Sequence, residues 1–177
     1  MKAITLYEPW ASLMSIGAKV NETRGCRTSH RGDICIHATK TDHGTPDHLI
    51  PAILKAFQTR LTQPHPDSLG CIIAVVDLWD VQPSEKFYVE PATTDPFCIT
   101  EEEWTFGNYM AGRFIFRTRN LRRLKTPVPC RGFQSIGWTV PPEVEAMVRK
   151  QLPGCSKPGC GYADGKPCIG CGRIVNP

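Results

Sequence analysis

The sequence predicts an α+β fold, a small β-barrel with helices plugging its ends and a short cysteine-rich tail behind it. Three observations lead there. Short strand-like segments alternate with two or three amphipathic helical ones, and glycine or proline punctuates nearly every junction, which is the pattern of a small mixed barrel. The 177 residues, 41% hydrophobic and 21% charged, suit one ordinary core plus an appendage and exclude a wholly disordered chain. Of the nine cysteines, Cys155, Cys160, Cys168 and Cys171 crowd behind the last predicted helix. The expected organisation is therefore a domain over 1–152 and a tail over 153–177.

The elements follow in order. Ile4 and Leu6 alternate with Ala3 and Thr5 in a first strand. Pro9 suits the first position of a helix, Trp10, Leu13 and Met14 fall at helical spacing, and Gly17 supplies a left-handed stop. Strands are expected over 20–24 and, after the turn at Arg31-Gly32, over 33–38. A second helix carries Ile53, Leu54, Phe57 and Leu61 as its stripe, opened or kinked by Pro51. The nearly continuous apolar run over 71–78 reads as a strand covered on both faces. Thr100 and Glu103 form a capping-box pair for a short helix. Residues 112–121 alternate as a strand, with Phe114 and Phe116 opposite Ile115, Arg117 and Arg119. The last helix starts at Pro141-Pro142, shows Val144, Met147, Val148 and Leu152 on one face, and stops at Pro153-Gly154.

The net charge of +4 says little, but its distribution says more. Arg113, Arg117, Arg119, Arg122, Arg123 and Lys125 follow one another without an intervening acid. Upstream, Asp80, Glu85, Glu90, Asp95, Glu101, Glu102 and Glu103 face Lys86 alone. Such blocks mark a polyanion-facing side and a solvated side, or else pair with each other. No apolar run approaches the ~20 residues that span a bilayer. The opening stretch meets Glu8 and Pro9 before any long apolar run, so no export signal is expected and a cytoplasmic location is. The odd cysteine count fits that expectation better than a full disulfide framework does.

Three ordered segments resemble the ASCH domain family, whose barrel is related to the PUA RNA-binding domains. The first is Ala3-Ile4-Thr5-Leu6-Tyr7-Glu8-Pro9-Trp10 running into Gly17-Ala18-Lys19-Val20-Asn21-Glu22-Thr23-Arg24, similar to the family's Gly-x-Lys-x-x-Glu-x-Arg signature. The second is Arg31-Gly32-Asp33-Ile34-Cys35-Ile36-His37-Ala38, and the third runs from Gly112-Arg113-Phe114 to Pro127-Val128-Pro129-Cys130-Arg131-Gly132-Phe133-Gln134 and Trp138. The resemblance implies a cleft beside the first helix that takes RNA, single-stranded nucleic acid or modified nucleosides. Some relatives in this family hydrolyse N4-acylated cytidine, others are described as ribonucleases, and others serve in coactivator complexes.

Within that cleft Lys19, Glu22 and Arg24 are the candidate catalytic group. Lys19, desolvated, serves as a base in its neutral amine form or, as an ammonium, holds a developing oxyanion. Glu22 and Arg24, two apart on one strand, point to the same side and offer a paired donor–acceptor edge, unless they merely brace the barrel rim. The deacylating branch resembles Gly-x-Lys-x-x-Thr-x-Arg, whereas here Glu22 holds the hydroxyl's position and Thr23 faces the other way, so Glu22 has to activate water. Asp77 and Glu101 to Glu103 are the candidates for a second carboxylate. Arg113, Arg117, Arg119, Arg122 and Arg123 are candidate phosphate contacts, and Trp10, Tyr7 or Trp138 candidate stacking partners for a base, with the core as the alternative place for Trp10 and Trp138. His37, in mid-strand, reads as a satisfied core residue.

In the tail, Cys155-x4-Cys160-x7-Cys168-x2-Cys171 predicts a structural zinc held by four thiolates, since so short a segment cannot order itself by burial; two disulfides and a disordered thiol-rich tail are the alternatives. The leading expectation is thus a nucleic-acid- or nucleotide-binding protein. A hydrolase on the same cleft and a protein-interaction module using the acidic segment are the alternatives.

Overall fold

A computed structural model describes residues 1–152 except 42, 61, 64–66, 90–94 and 96. The expectations for Leu61, Glu90 and the whole tail, including Cys155, Cys160, Cys168, Cys171 and their zinc, lie outside the described residues.

The fold is mixed α+β, with a curled half-barrel sheet and four helices among the described residues. The six-stranded sheet runs β2-β7-β4-β3-β1-β8. Its strands are β1 (Lys2–Leu6), β2 (Glu22–Arg24), β3 (Gly32–Ala38), β4 (Cys71–Pro83), β7 (Phe114–Pro129) and β8 (Trp138–Thr139). β5 (Tyr88–Val89) and β6 (Cys98–Ile99) make a separate parallel pair. β1 lies parallel to β3, and every other pairing in the large sheet is antiparallel. The two longest strands, β4 and β7, carry the curl: their register shifts three times, and Asn120 adopts φ 52° inside β7. Each extra residue at such a bulge bends the strand and increases its twist. The curl stops short of a closed cylinder, because the edge strands β2 and β8 have three and two residues and do not pair with each other.

Both faces of the sheet are covered. Inside the curl, Ile4, Leu6, Ile34, Ile36, Ile73, Val76, Leu78 and Phe116 pack against Ala11 and Met14 of α1 (Trp10–Ser15), which touches β1, β3, β4 and β7. Behind α1, Leu13 and Ala18 meet Ile53, Ala56 and Phe57 of α2 (Ile50–Thr59) and Phe106 of α3 (Glu101–Phe106). On the outer face, Ala3, Cys35, Ile72, Val75, Leu124 and Trp138 pack against Val148 and Leu152 at α4 (Pro142–Gln151). This double cover explains why β4 begins as an unbroken buried run from Cys71 to Val76 and opens to solvent only beyond it.

Several local expectations are refined. Pro9 stands one residue before α1 rather than in its first turn. The Glu8 carboxylate meets the start of the helix, accepting from the Ser12 N–H and Oγ at 3.0 Å each and from Ser68 Oγ at 2.7 Å. Gly17 does end the helix in the left-handed region at φ 74°. The α2 stripe uses Ala56 where Leu54 was expected, for Leu54 is exposed. Met147 likewise faces solvent, because Val148 and Leu152, four apart, already fill the contact of α4 with the sheet.

Candidate functional site

After α1 the chain turns sharply, the amides of Ala18 and Lys19 both donating to the Leu13 carbonyl at 3.0 and 3.2 Å. This turn throws the Lys19 side chain into the protein, where it is only 2% exposed. β2 follows at once and lifts Glu22 and Arg24 on the same side. The predicted group is therefore brought together as a row of alternating charge, with Lys19 Nζ 3.3 Å from Glu22 Oε2 and Arg24 Nε 3.0 Å from Glu22 Oε1. Lys19 Nζ also donates to the Asn21 carbonyl. The Arg24 Nε–H is not aimed at the carboxylate, so that contact is coulombic and Nε has no hydrogen-bond partner. Arg24 Nη2 instead donates to the Thr5 carbonyl at 2.7 Å, a side-chain bridge between β2 and β1 where the half-barrel leaves its seam.

Glu103 fixes this group from behind. Sequence reasoning placed it as the partner of Thr100 in a capping box, and half of the box forms: Thr100 Oγ1 accepts from the Glu103 N–H at 3.2 Å. The carboxylate, however, does not return to Thr100. It accepts from the backbone N–H groups of Val20 and Asn21 and from the Tyr109 hydroxyl at 2.6 Å, so α3 clasps the segment between Lys19 and Glu22. Burial and the adjacent carboxylate push the Tyr109 phenol upward, keeping it a donor. Glu103 thus holds in place the segment that carries the site. Glu102 pairs with Arg60 through two 2.9 Å hydrogen bonds, and Asp77 pairs with Arg119, so an arginine engages each of these two candidate carboxylates.

The arginines divide into separate tasks. Arg113 donates from Nη2 to the Thr23 carbonyl at 2.8 Å and secures β2. Arg119 and Arg117 lie opposite Asp77 and Asp80 in the β4–β7 register and pair with them at 2.8 and 3.9 Å. Arg122 forks onto both oxygens of Asp33. Arg123 donates to Thr62 Oγ1 and to the Gln63 carbonyl. The basic block is therefore met mainly by aspartates of β3 and β4, of which only Asp80 belongs to the acidic block. What stays outward is a cluster that sequence reasoning missed: Trp79, 37% exposed, with the Arg117 guanidinium 4.3 Å and the Arg119 guanidinium 5.6 Å from its ring centre. Its signal in the sequence is the end of the continuous apolar run, where Asp77 and Asp80 come in on either side of Leu78 and Trp79.

Trp10 is half-buried at the start of α1, and Trp138 is core, its Nε1 donating to Thr5 Oγ1 at 3.1 Å. Tyr7 is exposed and meets the His43 ring edge-on at 4.2 Å. Beside Thr5, on the outer face, opens a groove of about 1040 Å3 lined by His37, Lys40, Asp67, Cys130, Gly132 and Phe133 among others. Lys19, Glu22 and Arg24 do not line it. Burial lowers the His37 pKa against the pull of the Cys130 and Gly70 carbonyls, which favour the charged ring.

No known protein-family description matches the chain, and comparison with curated proteins finds none that resembles it. Among the described residues no helix is long and apolar enough to cross a membrane.

Proposed function

We propose that the chain is a nucleic-acid- or nucleotide-binding protein of the PUA-like ASCH type, its ligand held at the seam between β1 and β2. The observation that carries this reading is the row Lys19–Glu22–Arg24 at 3.3 and 3.0 Å, gathered at that seam. Arg113 on one side and Glu103 behind make three cations against two carboxylates in one small, largely dry volume. One positive charge is left without an internal counterpart, and an anionic group such as a phosphate oxygen supplies it. Lys19 is enclosed, so it acts through its field, and Arg24 is the member that meets a ligand. Trp79 with Arg117 and Arg119 extends the surface as a stacking platform for an unpaired base.

Hydrolysis at the same place is the weaker reading. Glu22, the residue that has to activate water, has one oxygen turned to Lys19 and the other to Arg24. With both oxygens so engaged, neither is turned to a water it could activate.

The test is fluorescence anisotropy of a labelled single-stranded RNA against the native chain, Arg24→Lys and Trp79→Ala. Arg24→Lys keeps the charge and loses the planar fork, so affinity is expected to fall about tenfold with the fold intact by circular dichroism. Trp79→Ala is expected to cost about fivefold or more. RNA that binds both variants as well as the native chain, or does not bind at all, rules the reading out. In the same reading the tail thiolates Cys155, Cys160, Cys168 and Cys171 hold one structural zinc. Metal analysis of the purified chain is expected to find about one zinc per molecule, and four freely titrating tail thiols in native buffer contradict it.

A further inference from the structure

The groove on the outer face lies where the ladder of the large sheet stops. Its last rungs are the Gly70 N–H on the Ala38 carbonyl at 3.0 Å and the Cys130 N–H on the Gly70 carbonyl at 2.9 Å. Beyond Cys130 the chain continues in a stretch, Arg131 to Phe133, that belongs to no helix or strand. Among the described residues, none of the backbone N–H groups from Arg131 to Gln134 donates a hydrogen bond, and all four residues line the groove. Gly132 lies so close on the His37 ring that a Cβ there would stand 2.2 Å from Cε1 and 2.5 Å from Nδ1. Nδ1, sealed beneath it, is buried without a hydrogen-bond partner. No side chain fits at residue 132, so the wall between Arg131 and Phe133 is bare backbone, which another backbone can approach closely. A run of unpaired amides is what the edge of a sheet offers to a further strand.

The side chains around this strip narrow what docks on it. Phe133 is 47% exposed, and Leu69, from the segment entering β4, is 44% exposed in the same groove. The Phe133 ring is held edge-on against Trp138 with ring centres 5.6 Å apart and has the Arg131 guanidinium 5.5 Å from its centre. A ring already fixed in this way loses little freedom when a partner covers it. Lys40 and Arg131 form no ion pair within 4.0 Å among the described residues and outnumber the one lining carboxylate, Asp67. The unpaired amides call for a row of carbonyl oxygens, the two exposed side chains for an apolar group, and the excess of cations for a carboxylate. An extended acidic peptide supplies all three, its main chain giving affinity and its side chains specificity. The groove is open, and its volume of about 1040 Å3 is at the upper end for small-molecule sites, which leaves room for several residues of such a chain.

We propose that this groove docks an extended acidic segment of a partner protein. The backbone of that segment runs along Arg131 to Gln134, an apolar side chain packs on Phe133 and Leu69, and a carboxylate meets Lys40 or Arg131. The surface shares no residue with the seam and goes beyond the ligand proposed there.

Panning a phage-displayed library of random peptides against the full chain tests it, with the selected peptides remade and titrated by fluorescence polarisation. The selected sequences are expected to share an Asp or Glu within a few positions of an aliphatic or aromatic residue and to bind with a Kd below about 100 μM. Phe133→Ala, a change at an exposed side chain, weakens them about tenfold. Lys40→Glu weakens them several-fold, and more at low salt than at high. Arg24→Lys, at the seam, leaves these affinities as they are. In hydrogen exchange the amides of Arg131 to Gln134, fast in the free chain, slow about tenfold or more under saturating peptide. The proposal is overturned if panning returns no sequence above background or none with an acid in common. It is equally overturned if Phe133→Ala and Lys40→Glu are both silent, or if those amides exchange as fast with peptide as without. A dimer in sedimentation that Phe133→Ala dissolves overturns it in favour of a second copy of this chain, and displacement of the peptide by single-stranded RNA overturns it in favour of nucleic acid.

Discussion

At the scale of single residues, His37 shows how a buried imidazole ties stability to acidity. Its folded pKa is lowered from the ordinary 6.5, chiefly by burial, so the unfolded chain binds the proton more readily than the folded one. Its contribution is complete above pH 6.5 and declines as the pH falls through the lowered folded value. The urea midpoint is expected to drop between about pH 7.5 and 5 in the native chain and to flatten over that window in His37→Gln, whose side chain does not titrate there. Much of this scale was legible in the sequence. The two-residue step from Glu22 to Arg24 fixed their common side, and Gly17 marked the turn that delivers Lys19. That His37 is buried was also foreseen. That one of its nitrogens is left without a partner was not, because the approach of Gly132 comes from a segment far along the chain and no local pattern encodes it.

Among the elements, α3 does more than its six residues suggest. It is too short to be stable by itself. The Glu103 carboxylate anchors it to the segment entering β2, and Trp104 stacks on Tyr109 with ring centres 5.1 Å apart. Glu103→Ala strands two backbone N–H groups and the Tyr109 hydroxyl in a dry place, so unfolding free energy by urea denaturation is expected to fall by about 3 kcal/mol or more. Glu103→Gln, which keeps the shape and an acceptor oxygen, is expected to cost less. If Glu103→Ala leaves stability unchanged, the clasp is not what holds the Lys19 turn. The capping-box spacing announced the helix and its start. It did not announce where the carboxylate goes, since Val20 and Asn21 lie more than 80 residues upstream and compete successfully for it. Strands were legible in proportion to their alternation: β1 and β3 were read nearly to their ends, whereas β7 was stopped short at residue 121. The left-handed Asn120 and the register shifts hide the continuation of β7, by breaking the period on which the reading relied.

For the molecule as a whole, half of the basic block proves to be tied to aspartates of the sheet, and only one of these, Asp80, comes from the acidic block. Arg117, Arg119 and Arg122 already have aspartate partners, so few of the basic residues are at liberty to release counterions from a polyanion. The RNA titration, repeated from about 50 to 200 mM salt, is therefore expected to show a shallow dependence, with a slope of about −2 or flatter in the logarithmic plot. A slope near −5 would mean that the arginine pairs open on binding. The curl itself has a kinetic consequence. α1 is laid down within the first fifteen residues, yet its apolar face is complete only when β4 and β7, more than fifty and about a hundred residues later, have bent around it. Until then the helix has little to hold it, and the entropy of closing those long loops must be met before the contacts reward it. Such a chain acquires its order late and nearly all at once, on the slow millisecond-to-second scale of non-local topologies rather than that of helical bundles.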